Sequence, residues 1–170
     1  MKRLILTPLA ATALLGAATP VAAGYTPAPS GPHTFSSSVP VTIQKDGAAY
    51  SCDFKITFTI DSSGVGHIPT NGAAFSGAFP CSFIIITGPA TIASTGPNRG
   101  TIAGLTIDPP LSAGVCNGPI QFQWKDASDG VTPSQMIFSS PLSDSTDSTG
   151  GKPCKITGIL YQGSTPQVNN

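Results

Sequence analysis

Residues 51–60 read SCDFKITFTI, apolar and polar in strict alternation. Cys52, Phe54, Ile56, Phe58 and Ile60 fall on one side, and Asp53, Lys55, Thr57 and Thr59 on the other. Period two belongs to a strand with one face on a core and one in water, because a helix would scatter both sets around its surface. The pattern recurs at residues 120–125 (IQFQWK), which turns Ile120, Phe122 and Trp124 inward. Further candidate strands lie at 39–43, 73–79, 90–94, 101–108, 135–139 and 155–161. Residues 81–87 (CSFIIIT) are apolar on both faces, which predicts a central strand. Turn residues separate these runs, as at Asp61-Ser62-Ser63-Gly64, Gly88-Pro89 and Asp108-Pro109-Pro110. Glutamate is absent, and 19 glycines and 17 prolines interrupt the chain, so no long helix is expected. The fold predicted is all-β, an antiparallel β-sandwich of about eight or nine short strands.

The N-terminus follows another pattern. Lys2 and Arg3 precede an apolar run at 4–18, and Thr19-Pro20-Val21-Ala22-Ala23 places small residues, Val21 and Ala23, where a signal peptidase reads them. A signal peptide over 1–23, cleaved after Ala23, is the expectation. The run is too short to span a bilayer and Pro8 interrupts it. No second run of spanning length follows, so no transmembrane segment is expected after signal removal. Residues 24–34 (GYTPAPSGPHT) carry three prolines and no apolar period, and read as a flexible Pro-rich segment. Residues 164–170 (STPQVNN) read as a flexible tail, which leaves 35–163 as a single β-sandwich domain.

After the signal, six basic residues remain, Lys45, Lys55, Arg99, Lys125, Lys152 and Lys155, against eight acids that are all aspartates. Such a chain has no basic patch to neutralise phosphates, which argues against nucleic acid as a partner. Charged residues make up 9% of the sequence, against ~25% in ordinary soluble proteins, so Ser, Thr, Gly, Asn and Gln must form most of the surface. A weakly charged surface suits extracellular or assembling proteins.

In an exported chain, Cys52, Cys81, Cys116 and Cys154 are expected to form two disulfides. No two stand at the C-x-x-C spacing of a metal site. More than one pairing is possible; Cys52–Cys81 with Cys116–Cys154 is favoured. The two histidines offer little chemistry: His33 lies in the Pro-rich segment and reads as solvated, and His67 reads as a surface turn residue. There is no G-x-S-x-G elbow. A glycosidase would have to draw on aspartates, most of which stand beside turn residues and bond their own backbone. Asp144-Ser145-Thr146-Asp147 lacks the ligand pattern and closing glutamate of an EF-hand and reads as a solvated loop. Trp124 lies on the apolar face of its strand, so it reads as core; Tyr25, Tyr50 and Tyr161 are the other rings a sugar-stacking surface could use. No catalytic residue, metal or cofactor is expected, and the protein is read as a non-enzyme.

Several landmarks stand in a recognisable order across residues 35–160. Phe35 opens a Ser-rich stretch, and Ser51-Cys52 leads a strand rich in Phe and Thr that ends in Asp61. Ala74-Phe75-Ser76-Gly77 precedes Cys81, and Ile102-Ala103-Gly104-Leu105-Thr106-Ile107 runs into Pro110-Leu111, Cys116 and Gly118. Trp124 is followed by Ala127-Ser128, and Cys154-Lys155-Ile156-Thr157-Gly158-Ile159 closes the set. In these features the chain resembles the PraB family, named for a protein activator of alkane oxidation in Gram-negative bacteria. It departs from that pattern at Thr87-Gly88-Pro89-Ala90, where a Gly-Leu-Pro-Trp-like step is expected. The resemblance implies a small exported protein linked to growth on long-chain alkanes and to the cell surface or biofilm; it carries over the four cysteines and no active-site residue. The expected function is thus a secreted or cell-surface accessory, located in the periplasm, at the surface or in the medium. Its expected partners are a hydrocarbon–water interface or cell-surface and matrix components. The alternative is a structural subunit of a surface fibre or adhesin that assembles by strand addition through its extended ends.

Overall fold

The computed structural model describes residues 31–139, 141–142 and 154–163. The expected signal peptide, residues 24–30, the 144–147 loop and the tail at 164–170 lie outside those residues. The strands are β1 (Pro32–Ser37), β2 (Val41–Lys45), β3 (Ala48–Ile60), β4 (Gly66–Ile68), β5 (Ala73–Ser76), β6 (Ile85–Thr87) and β7 (Ala90–Gly96). They continue as β8 (Arg99–Ala103), β9 (Thr106–Asp108), β10 (Ile120–Lys125), β11 (Gln135–Phe138), β12 (Pro141–Leu142) and β13 (Cys154–Gln162).

Eight of them form one closed antiparallel ring, β1-β13-β11-β10-β8-β7-β4-β3 and back to β1. The expected sandwich is therefore wrong, and the fold is a β-barrel. The strand that decides this is β1, because it pairs on both sides: Phe35 lies opposite Ile56 of β3 and opposite Gln162 of β13. Beyond the interruption at Ser38-Val39-Pro40, β2 continues along the same seam, with Ile43 opposite Tyr50 of β3 and Ile156 of β13. Two packed sheets would leave open edges, whereas closure pairs them.

β1 also corrects the Pro-rich segment, because Pro32, His33 and Thr34 belong to the barrel. Proline is tolerated at the first residue of a strand, where its missing donor does least harm. His33 is buried rather than solvated: its ring stacks on Phe58 at 5.5 Å between centroids. Thr34 Oγ1 lies 3.1 Å from Thr57 Oγ1.

An eight-stranded barrel is just wide enough for side chains to fill it. Phe35, Phe54, Phe58, Phe122, Trp124 and Phe138 are all buried, with Ile56, Ile102, Met136 and Leu160 among them. Phe35 packs against Phe58 at 5.8 Å and edge-on to Trp124 at 5.1 Å. The Trp124 indole N–H donates to Asp126 Oδ2 over 3.2 Å, which satisfies the ring's polar edge. Gly100 is required here: a Cβ on it would stand 2.3 Å from Phe122 Cζ. The outer face carries Lys55, Thr59, Thr91, Arg99, Gln121 and Gln123, all exposed. That is the inverse of a transmembrane barrel, which alternates apolar-out. Among the described residues no helix is long and apolar enough to cross a membrane.

β2 and β3 are joined by Asp46-Gly47, with φ of 51° and 85°, the backbone of a type I′ hairpin turn. Just before it, the fully buried Lys45 donates to Asp46 Oδ2 at 3.1 Å and to the carbonyl of Ala113, and so latches the loop after β9 onto the barrel.

The expected central strand at 81–87 is not in the ring. Cys81–Phe83 forms one turn of 3-10 helix, and only Ile85–Thr87 is extended. The expected strand at 101–108 breaks at Gly104, whose φ is +96°. Its first part, β8, stays in the barrel, while β9 pairs with β6 as a separate ribbon, Ile86 opposite Ile107. Apolar residues on both faces of 81–87 thus serve a ribbon with one side on the barrel and the other facing out.

Candidate functional site

The β6–β9 ribbon forms an apolar cap on the barrel. Ile84, Leu105 and Ile107 are buried beneath it. In and beside the ribbon, Phe79, Phe83, Ile85 and Leu111 are exposed by 65%, 61%, 58% and 67%. Phe79 and Phe83 meet edge-to-face at 5.7 Å. Ile85 stands opposite Asp108, and Leu111 follows just beyond Asp108. β5 runs beside β3, where Phe75 stacks on Phe54 at 4.3 Å, and touches both β6 and the 3-10 turn.

Both disulfides hold this cap. Cys52 on β3 is bonded to Cys81 at the head of the first arm, with Cα atoms 5.5 Å apart. Cys154 on β13 is bonded to Cys116, with Cα atoms 5.9 Å apart. Cys116 and Ile107 of β9 exchange both backbone hydrogen bonds, at 2.8 and 2.7 Å. One bond therefore ties each arm of the ribbon to a ring strand. Two disulfides fit an oxidising compartment outside the cytoplasm.

The remaining candidates do not assemble into a reactive centre. His33 lies inside the barrel against Phe58, and His67 stands outside, in β4 rather than in a turn, opposite Thr59. The His67 ring donates from Nε2 to Asp61 Oδ2 over 2.8 Å. Asp61 Oδ1 accepts from the Ser63 hydroxyl at 2.6 Å and from the amides of Ser63 and Val65. The Ser63 hydroxyl first, then the His67 ring and the Val65 amide, hold the Asp61 carboxyl well below the usual carboxylate range. Asp126 is lowered for the same reason, chiefly by the Ser128 hydroxyl and amide and then by the Trp124 indole. Both are turn clamps, Asp61 exposed and Asp126 half-buried. Next to His67 lies a shallow groove of about 580 Å³ lined by Pro69, Pro89 and Ala103 among others. Among the described residues no group of three or more His, Cys or Asp could hold a metal. Tyr50 and Trp124 are buried, Tyr161 is half-buried, and Tyr25 lies outside the described residues, so these rings form no stacking platform.

Residues 1–169 match the family described as alkane oxidation protein activator, PraA/PraB-like. The chain belongs to that family. No curated protein and no solved structure matches it. The family's description names an activator of alkane oxidation, which is an accessory role. Sequence reasoning had missed the cap, although a signal existed in the apolar-on-both-faces run behind Cys81, bracketed by Pro80 and Pro89.

Proposed function

We propose that this PraA/PraB-like protein is exported and acts without catalysis, adsorbing at the hydrocarbon–water interface through its cap and so improving the access of cells to liquid alkane. The observation that carries this reading is that four large apolar side chains in and beside the ribbon, Phe79, Phe83, Ile85 and Leu111, are exposed, with Phe79 and Phe83 in contact and the ribbon stapled at both arms. Exposed apolar groups that stand together mark a contact surface, whereas scattered ones need no explanation. Moving a large apolar side chain out of water is worth ~1.5–3 kcal/mol, so a few such side chains favour adsorption strongly. A stapled ribbon also loses little conformational freedom on contact. Strand addition is the weaker reading, because every strand of the ring has a partner on each side.

The test is pendant-drop tensiometry against hexadecane, comparing the protein with the Phe79→Ser/Phe83→Ser variant. We expect the protein to lower the tension faster and further, and the variant, with an unchanged circular dichroism spectrum, to behave like an ordinary globular control. Equal activity of the two would overturn the reading.

A further inference from the structure

A second surface, built from the ring alone, has polar chemistry. A cleft of about 280 Å³ crosses the outer face of β7, β8, β10 and β11, lined by Thr95, Arg99, Gln121, Gln123 and Ser139. The register explains why these side chains converge: Gln123 lies opposite Arg99, and Gln121 opposite Thr101, across the β8–β10 ladder. Ser139 follows Phe138, which pairs with Phe122, so it falls beside Gln121. Gly100 and Phe122, lying between these outward residues, turn inward and leave backbone as the floor.

Arg99 is the only arginine after Arg3; the other cations of the described barrel are lysines. It is exposed, and its guanidinium forms no ion pair or hydrogen bond among the described residues. Among the described residues no acid lines the cleft. The exposed Asp61, for comparison, is clamped by Ser63 and His67. An unpaired guanidinium flanked by two amides and two hydroxyls is different: it offers a planar fork of N–H donors with further donors around it. That set matches a carboxylate, which takes two parallel hydrogen bonds from the guanidinium and leaves an outer lone pair for the Gln123 amide.

We propose that this cleft binds a carboxylate group, with Arg99 as its anchor and Gln123 as a flanking donor. The site is independent of the apolar cap. Carboxylates of this kind come from two chemical sources, an aliphatic acid, which is what full oxidation of a terminal alkane carbon yields, or an acidic sugar.

NMR titration of the disulfide-bonded protein separates these cases, with octanoate below its micelle concentration, trigalacturonate and octanol as probes. We expect one or both acids to shift the Arg99 Nε–H and Gln123 side-chain amide signals saturably, while octanol leaves them in place. Response to octanoate alone assigns the aliphatic acid, and response to trigalacturonate alone assigns the sugar acid. Arg99→Gln should weaken binding about tenfold or more, the size expected for losing charge-assisted hydrogen bonds. Arg99→Lys should weaken it less, because it keeps the charge and loses the fork. Absence of any saturable shift, an equal shift with octanol, or unchanged affinity in Arg99→Gln would overturn the proposal.

Discussion

Asp61 is the residue whose surroundings make the sharpest claim about solution behaviour. The Ser63 hydroxyl, the His67 ring and the Val65 amide all stabilise its ionised form, so its folded-state pKa lies below the unfolded value. For such a group the stabilising contribution is fully present above the unfolded carboxylate value, about 4, and is lost as pH falls through the folded value. Carbon NMR should find the Asp61 carboxyl still ionised at a pH where an ordinary aspartate is half protonated. Ser63→Ala should return its midpoint toward the ordinary range; an ordinary midpoint in the unmutated protein would sink the claim. The turn itself was legible in the sequence, because an aspartate that bonds the amides just after it is a local arrangement. Trp124 was legible too, from period two alone. His33 was not: its burial depends on lying opposite Phe58, a register that no local pattern encodes. In the sequence Arg99 is one base among six, because its lack of a side-chain partner among the described residues exists only in the folded barrel.

At the scale of elements, the ring and the ribbon are held by different forces. The ring is closed by backbone ladders and an aromatic interior, whereas the ribbon shares no ladder with the ring and is seated by two disulfides and the Lys45 latch on the loop after β9. The bonds close loops with sequence separations of 29 and 38 residues, and on the chain-entropy model each contributes ~3–4 kcal/mol. Reduction should therefore loosen the ribbon before the barrel. Hydrogen exchange after mild reduction should show early loss of protection at Thr87 and Ile107, with the amides of Phe122 and Met136 holding on. Simultaneous loss at all four would mean that the cap and barrel are one cooperative unit. The sequence announced the cysteines plainly and hid what they hold. An apolar run on both faces reads as a buried strand, and a ribbon that leaves Phe83 and Ile85 in water breaks the rule on which that reading rests.

Over the whole molecule, the alternating strands predict an all-β fold and say which side chains face inward, but sandwich and barrel share that pattern. Closure turns on β1, and Pro32 with His33 disguises β1 as linker; without it, strand counting begins near Val39 and two open sheets are the natural answer. The barrel that results is filled, polar outside and weakly charged, with its exposed apolar side chains gathered largely on one tethered cap. A molecule of that form can promote alkane oxidation by changing how an insoluble substrate meets the cell, and this effect should depend on the physical state of the carbon source. A strain lacking the gene should grow slowly on liquid hexadecane and normally on a water-soluble alcohol of the same pathway. Added purified protein should restore growth on hexadecane, and the Phe79→Ser/Phe83→Ser variant should not. Growth curves on the two carbon sources decide the matter. Equal impairment on both would rule out substrate access and point to a general role in the cell envelope, while full rescue by the double variant would keep the access role and remove the cap from it.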